Sequence, residues 1–263
     1  MVGSQTRSGT VWVLLLVAAL TTVPARADNT PFALYDNMYY KGKPDLASDG
    51  FVVSNILYER VIWPQKMNYG TLPDRHAYEA VVRAHDTNPG PLVIDIEELP
   101  LNGSPDLARQ HEQTLATLAD WAHAAAPGKI IGYYGTNTLT RVAPAYIPYA
   151  KELAKHVDAF FPPAYTFDDD RTKWQQRAQD AVAEAHSLDP SKPVYFYLWP
   201  QYHDNTPKQF QFIDAAYWSF QLDSASRLSN GIVIWSPGKF DWSDATGWWS
   251  ATQRFARSLT RKP

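Results

Sequence analysis

The chain has 263 residues, 45% of them hydrophobic, 14% aromatic and 19% charged, with 24 Lys and Arg against 27 Asp and Glu. This composition excludes a disordered tail, a collagen-like repeat and a charged coiled coil. The net charge of −3 and the absence of any Lys/Arg cluster argue against a nucleic-acid partner.

The first ten residues carry one charge, Arg7, and no acid; 11–20 (VWVLLLVAAL) is an apolar run, and Ala25-Arg26-Ala27 has the small-x-small form of a cleavage site. The run is short for a bilayer span, so 1–27 reads as a secretory signal, and the protein is expected to be secreted or periplasmic. Removing Arg7 and Arg26 would leave 22 cations against 27 acids, a net charge of −5, on one domain over 28–263. A domain of that size buries enough surface to fold without staples. There is no cysteine, hence no disulfide framework, thiolate nucleophile or zinc–thiolate site.

From there short apolar runs alternate with longer amphipathic segments. The runs are 32–35 (FALY), 55–63 (NILYERVIW), 92–96 (LVIDI), 129–134 (KIIGYY), 159–165 (AFFPPAY), 193–198 (PVYFYL) and 231–235 (GIVIW). Helices are expected at about 74–86, 105–125, 145–157, 171–187, 207–229 and 243–258. In the second of these Leu107, His111, Leu115, Leu118 and Ala122 recur at helical spacing, behind Ser104 as cap and Pro105 in the first turn. Buried strands alternating with helices mean an α/β protein with a mostly parallel sheet. No Gly-rich phosphate loop follows a strand, which weakens an open nucleotide-binding sheet. A (β/α) TIM-like barrel with about seven strands is favoured, because several strands end in the polar and aromatic residues that barrels use for chemistry.

The segment 91–100 (PLVIDIEELP) carries the most information. Alternate strand residues share a face, so Leu92, Ile94 and Ile96 are expected against the helices. Val93, Asp95 and Glu97 then point inward, the two acids nearest the mouth, and Glu98 falls on the opposite face. Two carboxyls on Cα atoms roughly 6.5–7 Å apart, at two residues of strand rise, cannot both ionise freely in a partly desolvated site. One of them could therefore donate a proton near neutral pH, as glycosidic cleavage requires. Loop acids that cap a helix or pair with a base would explain the same spacing.

Tyr58, Tyr134, Tyr165, Trp199 and Trp235 fall at or near strand ends, where aromatic faces suit the C–H faces of sugars. Trp218, Trp248 and Trp249 are expected to be packing residues. Asp168, Asp169 and Asp170 read as a solvated helix start rather than a metal site. His203 is expected at the rim. No G-x-S-x-G, H-E-x-x-H or close His pair is present.

In order along the chain, these motifs resemble the hyaluronidase family of glycoside hydrolases. VIDIEE at 93–98 is similar to that family's V-I-D-W-E-E, and IGYY at 131–134 to its W-G-Y-Y. FFPPAY at 160–165 is similar to L-Y-P-S-I-Y, PVYFY at 193–197 to P-V-F-V-Y, GIVIW at 231–235 to G-I-V-I-W-G, and ILYERVIWP at 56–64 to I-L-Y-x-P-G-x-F-P. The resemblance implies a distorted barrel of about seven strands and a retaining mechanism whose nucleophile is the substrate's own N-acetyl group. By position, Glu97 matches the proton donor and Asp95 the acid that orients the acetamido group. Tyr165, Trp235 and Tyr134 match aromatics that line the sugar subsite. Leu99-Pro100 and Leu198-Trp199-Pro200-Gln201 replace family segments that carry Arg, and the family's disulfide cysteines are absent. A neutral or amino-sugar polymer therefore fits as well as hyaluronan.

The expected activity is endo-acting hydrolysis of a polysaccharide next to an N-acetylhexosamine. It would be carried out by a monomer with no metal or cofactor and no membrane span after signal cleavage. A catalytically silent polysaccharide-binding barrel, or a retaining glycosidase using two protein carboxylates (Asp95 or one of the acids at 168–170 as nucleophile), are the alternatives.

Overall fold

The computed structural model describes residues 31–64, 71–135 and 144–260; the expected signal over 1–27 lies outside them. β1 (Ala33–Met38) is followed by a two-residue β2 (Val52–Val53), β3 (Asn55–Tyr58), the single turn α1 (Glu59–Ile62) and α2 (Arg75–His85). β4 (Leu92–Asp95) leads to α3 (Pro105–Ala125), β5 (Ile131–Tyr133), α4 (Ile147–Ala154) and α5 (Arg171–Leu188). β6 (Tyr195–Leu198), α6 (Ala215–Leu228), β7 (Gly231–Ser236) and α7 (Trp248–Leu259) complete the order.

Every strand pair is parallel, as the alternation of strands and helices requires. The ladders do not run as one seven-stranded barrel. They form a four-stranded sheet in the order β2-β1-β7-β6 and a three-stranded sheet in the order β3-β4-β5. On one side the sheets share a continuous stretch of chain that changes partner at Ser54. β2 pairs with β1 and β3 with β4, while Ser54 N donates to Asp36 O at 3.0 Å and Asn55 N to Pro91 O at 2.8 Å.

On the other side lies 159–165, expected as a strand and present only as isolated bridges, Tyr134 with Phe161, Phe160 with Val194 and Pro163 with Tyr197. Pro162 and Pro163 have no N–H to donate; Phe160 N and Ala164 N donate to Pro193 O and Tyr197 O, so the gap at Pro162 falls on the β6 side and that at Pro163 on the β5 side. Phe160 O and Pro162 O accept from Tyr195 N and Tyr197 N at 2.9 and 3.0 Å. Gly132 lets the segment approach β5 closely: a Cβ there would stand 2.4 Å from Ala159 O and 2.7 Å from the Phe161 ring.

Strand alternation sorts the apolar residues into two cores. Leu92, Ile94 and Ile96 join the large core against the helices, whereas Val93 joins Phe161, Tyr165, Tyr195, Tyr197, Trp199 and Val233 in an inner cluster common to both sheets. The helices begin where the capping side chains dictate. Asp74, Ser104, Asp170 and Asp214 each accept a backbone N–H from the first turn of α2, α3, α5 and α6, stabilising each start by about 1 kcal/mol. Trp218, Trp248 and Trp249 are buried packing residues as expected. Trp174 ties α5 to the inner wall, its Nε1 donating to Ala164 O at 2.8 Å.

Three expectations need correction. The run 55–63 ends as a strand at Tyr58 and turns into α1, because its apolar tail, Ile62 and Trp63, packs into the outer core rather than extending the ladder. Residues 207–214 are not helical: Gln201 pairs with Phe212 in an antiparallel bridge, Phe210 has φ of 64°, and the helix starts only after Asp214. Leu107 is 40% exposed, leaving His111, Leu115, Leu118 and Ala122 as the buried stripe of α3.

Candidate active site

The C-terminal ends of the parallel strands converge on one cleft, of about 500 Å³. Tyr58 and Asp95 are the last residues of β3 and β4 and lie side by side in register. Glu97 follows two residues later, Tyr134 directly after β5, Tyr165 at the end of the bridged segment and Trp199 directly after β6, with Trp235 near the end of β7. All seven residues singled out in the sequence line this cleft.

The aromatic wall is a contact network. Tyr165 lies 6.0 Å from Trp235 at 30° between planes, Trp199 meets Trp235 edge-on at 5.1 Å, and Tyr134 meets Tyr197 edge-on at 4.9 Å. Trp235 Nε1 donates to the Tyr58 hydroxyl at 3.2 Å. Trp199 is fixed through buried Gln201, whose Oε1 accepts from Trp199 Nε1 at 3.0 Å and from the Tyr40 hydroxyl at 2.9 Å, and whose Nε2 donates to Phe210 O.

Asp95 is half-buried at the base of this wall, and Glu97 stands at the exposed mouth. Burial, then repulsion by Glu97 and Glu59, pushes Asp95 from 3.8 up to about 7, with Arg60 opposing. Glu97 is also raised, first by desolvation among the cleft walls and then by Glu59 and Glu98, while His203 pulls it down. Glu59 approaches from α1, its Oε2 accepting from Glu97 N at 3.3 Å. The arrangement is a pair of carboxyls whose pKa values are both raised, Asp95 up to about 7, the condition for acid chemistry near neutral pH.

Tyr197 is fully buried beneath the cleft, and its hydroxyl makes no hydrogen bond to another group among the described residues. Burial raises its pKa, and Asp95 raises it further, so the O–H remains a donor facing the acid. A second cavity, of about 380 Å³, adjoins the first and shares Glu97, Tyr134, Tyr165 and His203 with it. Its far side is formed by Phe167 and by Trp174, Arg177 and Glu184 of α5. Among the described residues no group of three or more His, Asp or Glu side chains is placed to hold a metal ion, and no helix is long and apolar enough to cross a membrane.

Among solved structures the chain is similar to bee venom hyaluronidase. The match has a TM-score of 0.60 at 15% identity and covers 88% of this chain and 98% of that one. A second bee venom hyaluronidase structure, in complex with a hyaluronic acid tetramer, matches with the same TM-score and identity over 97% of its length. A class V chitinase from Pseudomonas fluorescens Pf-5 matches at a TM-score of 0.48 and 13% identity. No family model matches the sequence, and no curated protein matches it significantly. At such identities the likeness to bee venom hyaluronidase is one of fold: a mixed α/β chain with parallel sheets.

Several cleft residues were not singled out from sequence: Tyr197, Glu59, Arg60, Asp204, Phe210 and Lys239. Tyr197 was legible by parity, since it alternates with Tyr195 and Trp199 on one face of β6. Glu59 and Arg60 were hidden by reading their segment as strand. Asp168, Asp169 and Asp170 line neither cavity; Asp170 caps α5, and Asp169 accepts from the Tyr202 hydroxyl.

Proposed function

We propose that this protein is a secreted, single-domain, endo-acting glycoside hydrolase, its two parallel sheets set as an open, distorted barrel, that cleaves a polysaccharide next to an N-acetylhexosamine. The observation that carries the reading is the Asp95–Glu97 pair, both with raised pKa values, on the wall of an aromatic cleft at the strand C-termini. The export pattern over 1–27 supports secretion.

Glu97 lines both cavities and Asp95 only the first. A proton donor must stand beside the scissile oxygen, so that oxygen belongs at the junction. The N-acetylhexosamine then occupies the first cavity and the leaving sugar the second. The acetamido group falls between Asp95 and the Tyr197 hydroxyl, which is free to donate to its carbonyl. In the empty cleft the deeper Asp95 holds the proton. Accepting the acetamido N–H favours its carboxylate form, which leaves the proton to Glu97.

The acetamido oxygen then attacks C1 as the C1–O bond breaks, and the departing oxygen takes the Glu97 proton. Asp95 stabilises the positive ring that forms. Glu97, now a carboxylate, removes a proton from water as that water attacks C1, which restores the acetamido group with retention at the anomeric centre. Both directions of proton transfer suit an acidic optimum: activity falls at alkaline pH as the pair loses its proton, and at low pH as Asp95 stays neutral. The first cavity carries Glu59, Asp95, Glu97 and Asp204 against Arg60 and Lys239, a balance that favours a neutral or amino-sugar chain over a polyanion.

The test is digestion of hyaluronan, chondroitin, chitin oligomers and a non-acetylated glucan by the wild-type protein and Glu97→Gln, with products read by mass spectrometry. Products should come from N-acetylated polymers alone and fall by roughly 10²-fold or more in the variant. Equal cleavage of the non-acetylated glucan would refute substrate assistance.

A further inference from the structure

The junction of the two cavities is formed by four residues common to both: Glu97, Tyr134, Tyr165 and His203. Two of these are tyrosines of the wall, and the other two are a carboxyl and an imidazole. His203 is held as a placed group rather than a loose rim side chain. Its backbone N donates to Thr166 O at 2.8 Å. Its ring is packed at 5.5 Å from Tyr165, 4.9 Å from Phe167 and 5.9 Å from Trp199. Nδ1 lies 2.6 Å from the Asp204 carboxylate, so the nitrogen left for the cleft is Nε2. A carboxylate on one imidazole nitrogen fixes the ring's orientation and the proton's position, the arrangement by which enzymes orient a working histidine.

We propose that His203, braced by Asp204, is a positioning residue for Glu97: it stands at the same junction and gives the Glu97 carboxylate its countercharge. The inference rests on the glycosidase reading, in which Glu97 is a donor in the first step and a base in the second. Glu97 gives up its proton in the first step and must then stay a carboxylate until it takes one from water in the second. Desolvation, Glu59 and Glu98 hold the proton on Glu97, and His203 opposes them.

Among the other charged groups around the junction, Asp95 and Asp204 line the first cavity, and Glu98 acts on Glu97 from the same loop. Glu59 and Arg60 come from α1 and Lys239 from the segment after β7, all on the side of the first cavity. Arg177, Asp180 and Glu184 come from α5 on the side of the second. Arg177 lies over the Phe167 ring, 5.3 Å from its centroid, and Lys239 over the Phe210 ring at 4.0 Å. Arg60 lies over the Tyr58 ring at 4.7 Å, which leaves the imidazole as the basic group seated among the four residues of the junction itself.

The test is a titration of the Glu97 carboxyl carbon by NMR in the folded full-domain protein, compared among wild type, His203→Gln, His203→Lys and Asp204→Asn, beside the pH dependence of hydrolysis of chitin oligomers. In His203→Gln the Glu97 midpoint should rise by about 0.5–1 unit, as expected for loss of a neighbouring opposite charge. The alkaline limb of kcat should move up by the same amount, with KM changed less than about twofold. His203→Lys, which keeps a charge, should return the midpoint toward wild type. A Glu97 midpoint unchanged in folded His203→Gln, or an effect confined to KM, would overturn the proposal and make His203 a substrate-stacking residue. Failure of the wild-type protein to hydrolyse any polymer would refute the glycosidase reading instead. The carboxyl titration needs no substrate and would still decide the pairing.

Discussion

Replacing Asp95 by Asn should stabilise the protein above neutral pH and leave it nearly unchanged at pH 4. The folded protein holds the Asp95 proton up to about pH 7, against an ordinary value of 3.8. A group whose pKa is raised by folding contributes most at low pH and loses that contribution as pH rises to the folded value. For Asp95 the window runs from about pH 4 to pH 7. At about 1.4 kcal/mol for each unit of difference, ionising Asp95 inside the cleft costs at most about 4 kcal/mol. Water in the open cleft screens part of this, so about 1–3 kcal/mol is expected. Asn has nearly the same shape and no proton to lose, so it removes the slope.

For a domain of this size the expected rise in Tm at pH 8 is about 3–10 °C. Thermal unfolding of both proteins, followed by circular dichroism between pH 4 and 8.5, measures it. A difference in Tm that is independent of pH, or a variant less stable at pH 8, would refute the reasoning. On the proposed function the same substitution should abolish turnover, since it removes the group assigned to stabilise the positive intermediate.

Tyr197→Phe should leave stability within about 1 kcal/mol of wild type, because the hydroxyl it removes has no protein partner. Turnover of an N-acetylated substrate should fall by about tenfold or more, as for loss of a single preorganised donor. Intact turnover in a destabilised variant would contradict the role given to that hydroxyl. Gly132→Ala should cost about 2 kcal/mol or more, since its methyl would meet the Ala159 carbonyl and the Phe161 ring. Urea unfolding would show this as a lower midpoint at an unchanged slope, and an unchanged midpoint would mean that the close approach of 159–165 to β5 is dispensable.

Much of the site was legible because strand parity is a hard geometric rule. In 91–100 the two-residue period alone separated Val93, Asp95 and Glu97 from Leu92, Ile94 and Ile96, and the two sets do fall on different sides of the wall. The same rule applied to β6 reaches Tyr197 as readily as Trp199; attention to strand ends passed over it. Periodicity was less informative where an apolar run changes structure midway. Nothing in the pattern of 55–63 separates a buried strand from a strand followed by one helical turn, so Glu59 and Arg60 escaped notice. In 207–214 Phe210 and Phe212 stand two apart, which is strand rather than helix spacing, and Asp214 marks the true start by capping α6. The pairing of 159–165 depends on which neighbour each carbonyl meets. Prolines at 162 and 163 signal a defective ladder without saying which side is lost.

The two seams between the sheets are unequal. At Ser54 a single covalent strand serves both ladders, so the sheets cannot part there without breaking β1 or β4 pairing. Between β5 and 159–165 the contact is sparse: Asp158 N donates to Ile131 O, Ile131 N donates to the Asp158 side chain, and one bridge joins Tyr134 to Phe161. Local opening follows the density of such bonds, so amide exchange through partial opening is directed to the second seam. That seam carries Tyr134 and Tyr165, two of the four residues at the cavity junction. The wall is thus built to yield beside the point where a long sugar chain would have to be threaded, while the Asp95 side is stitched shut.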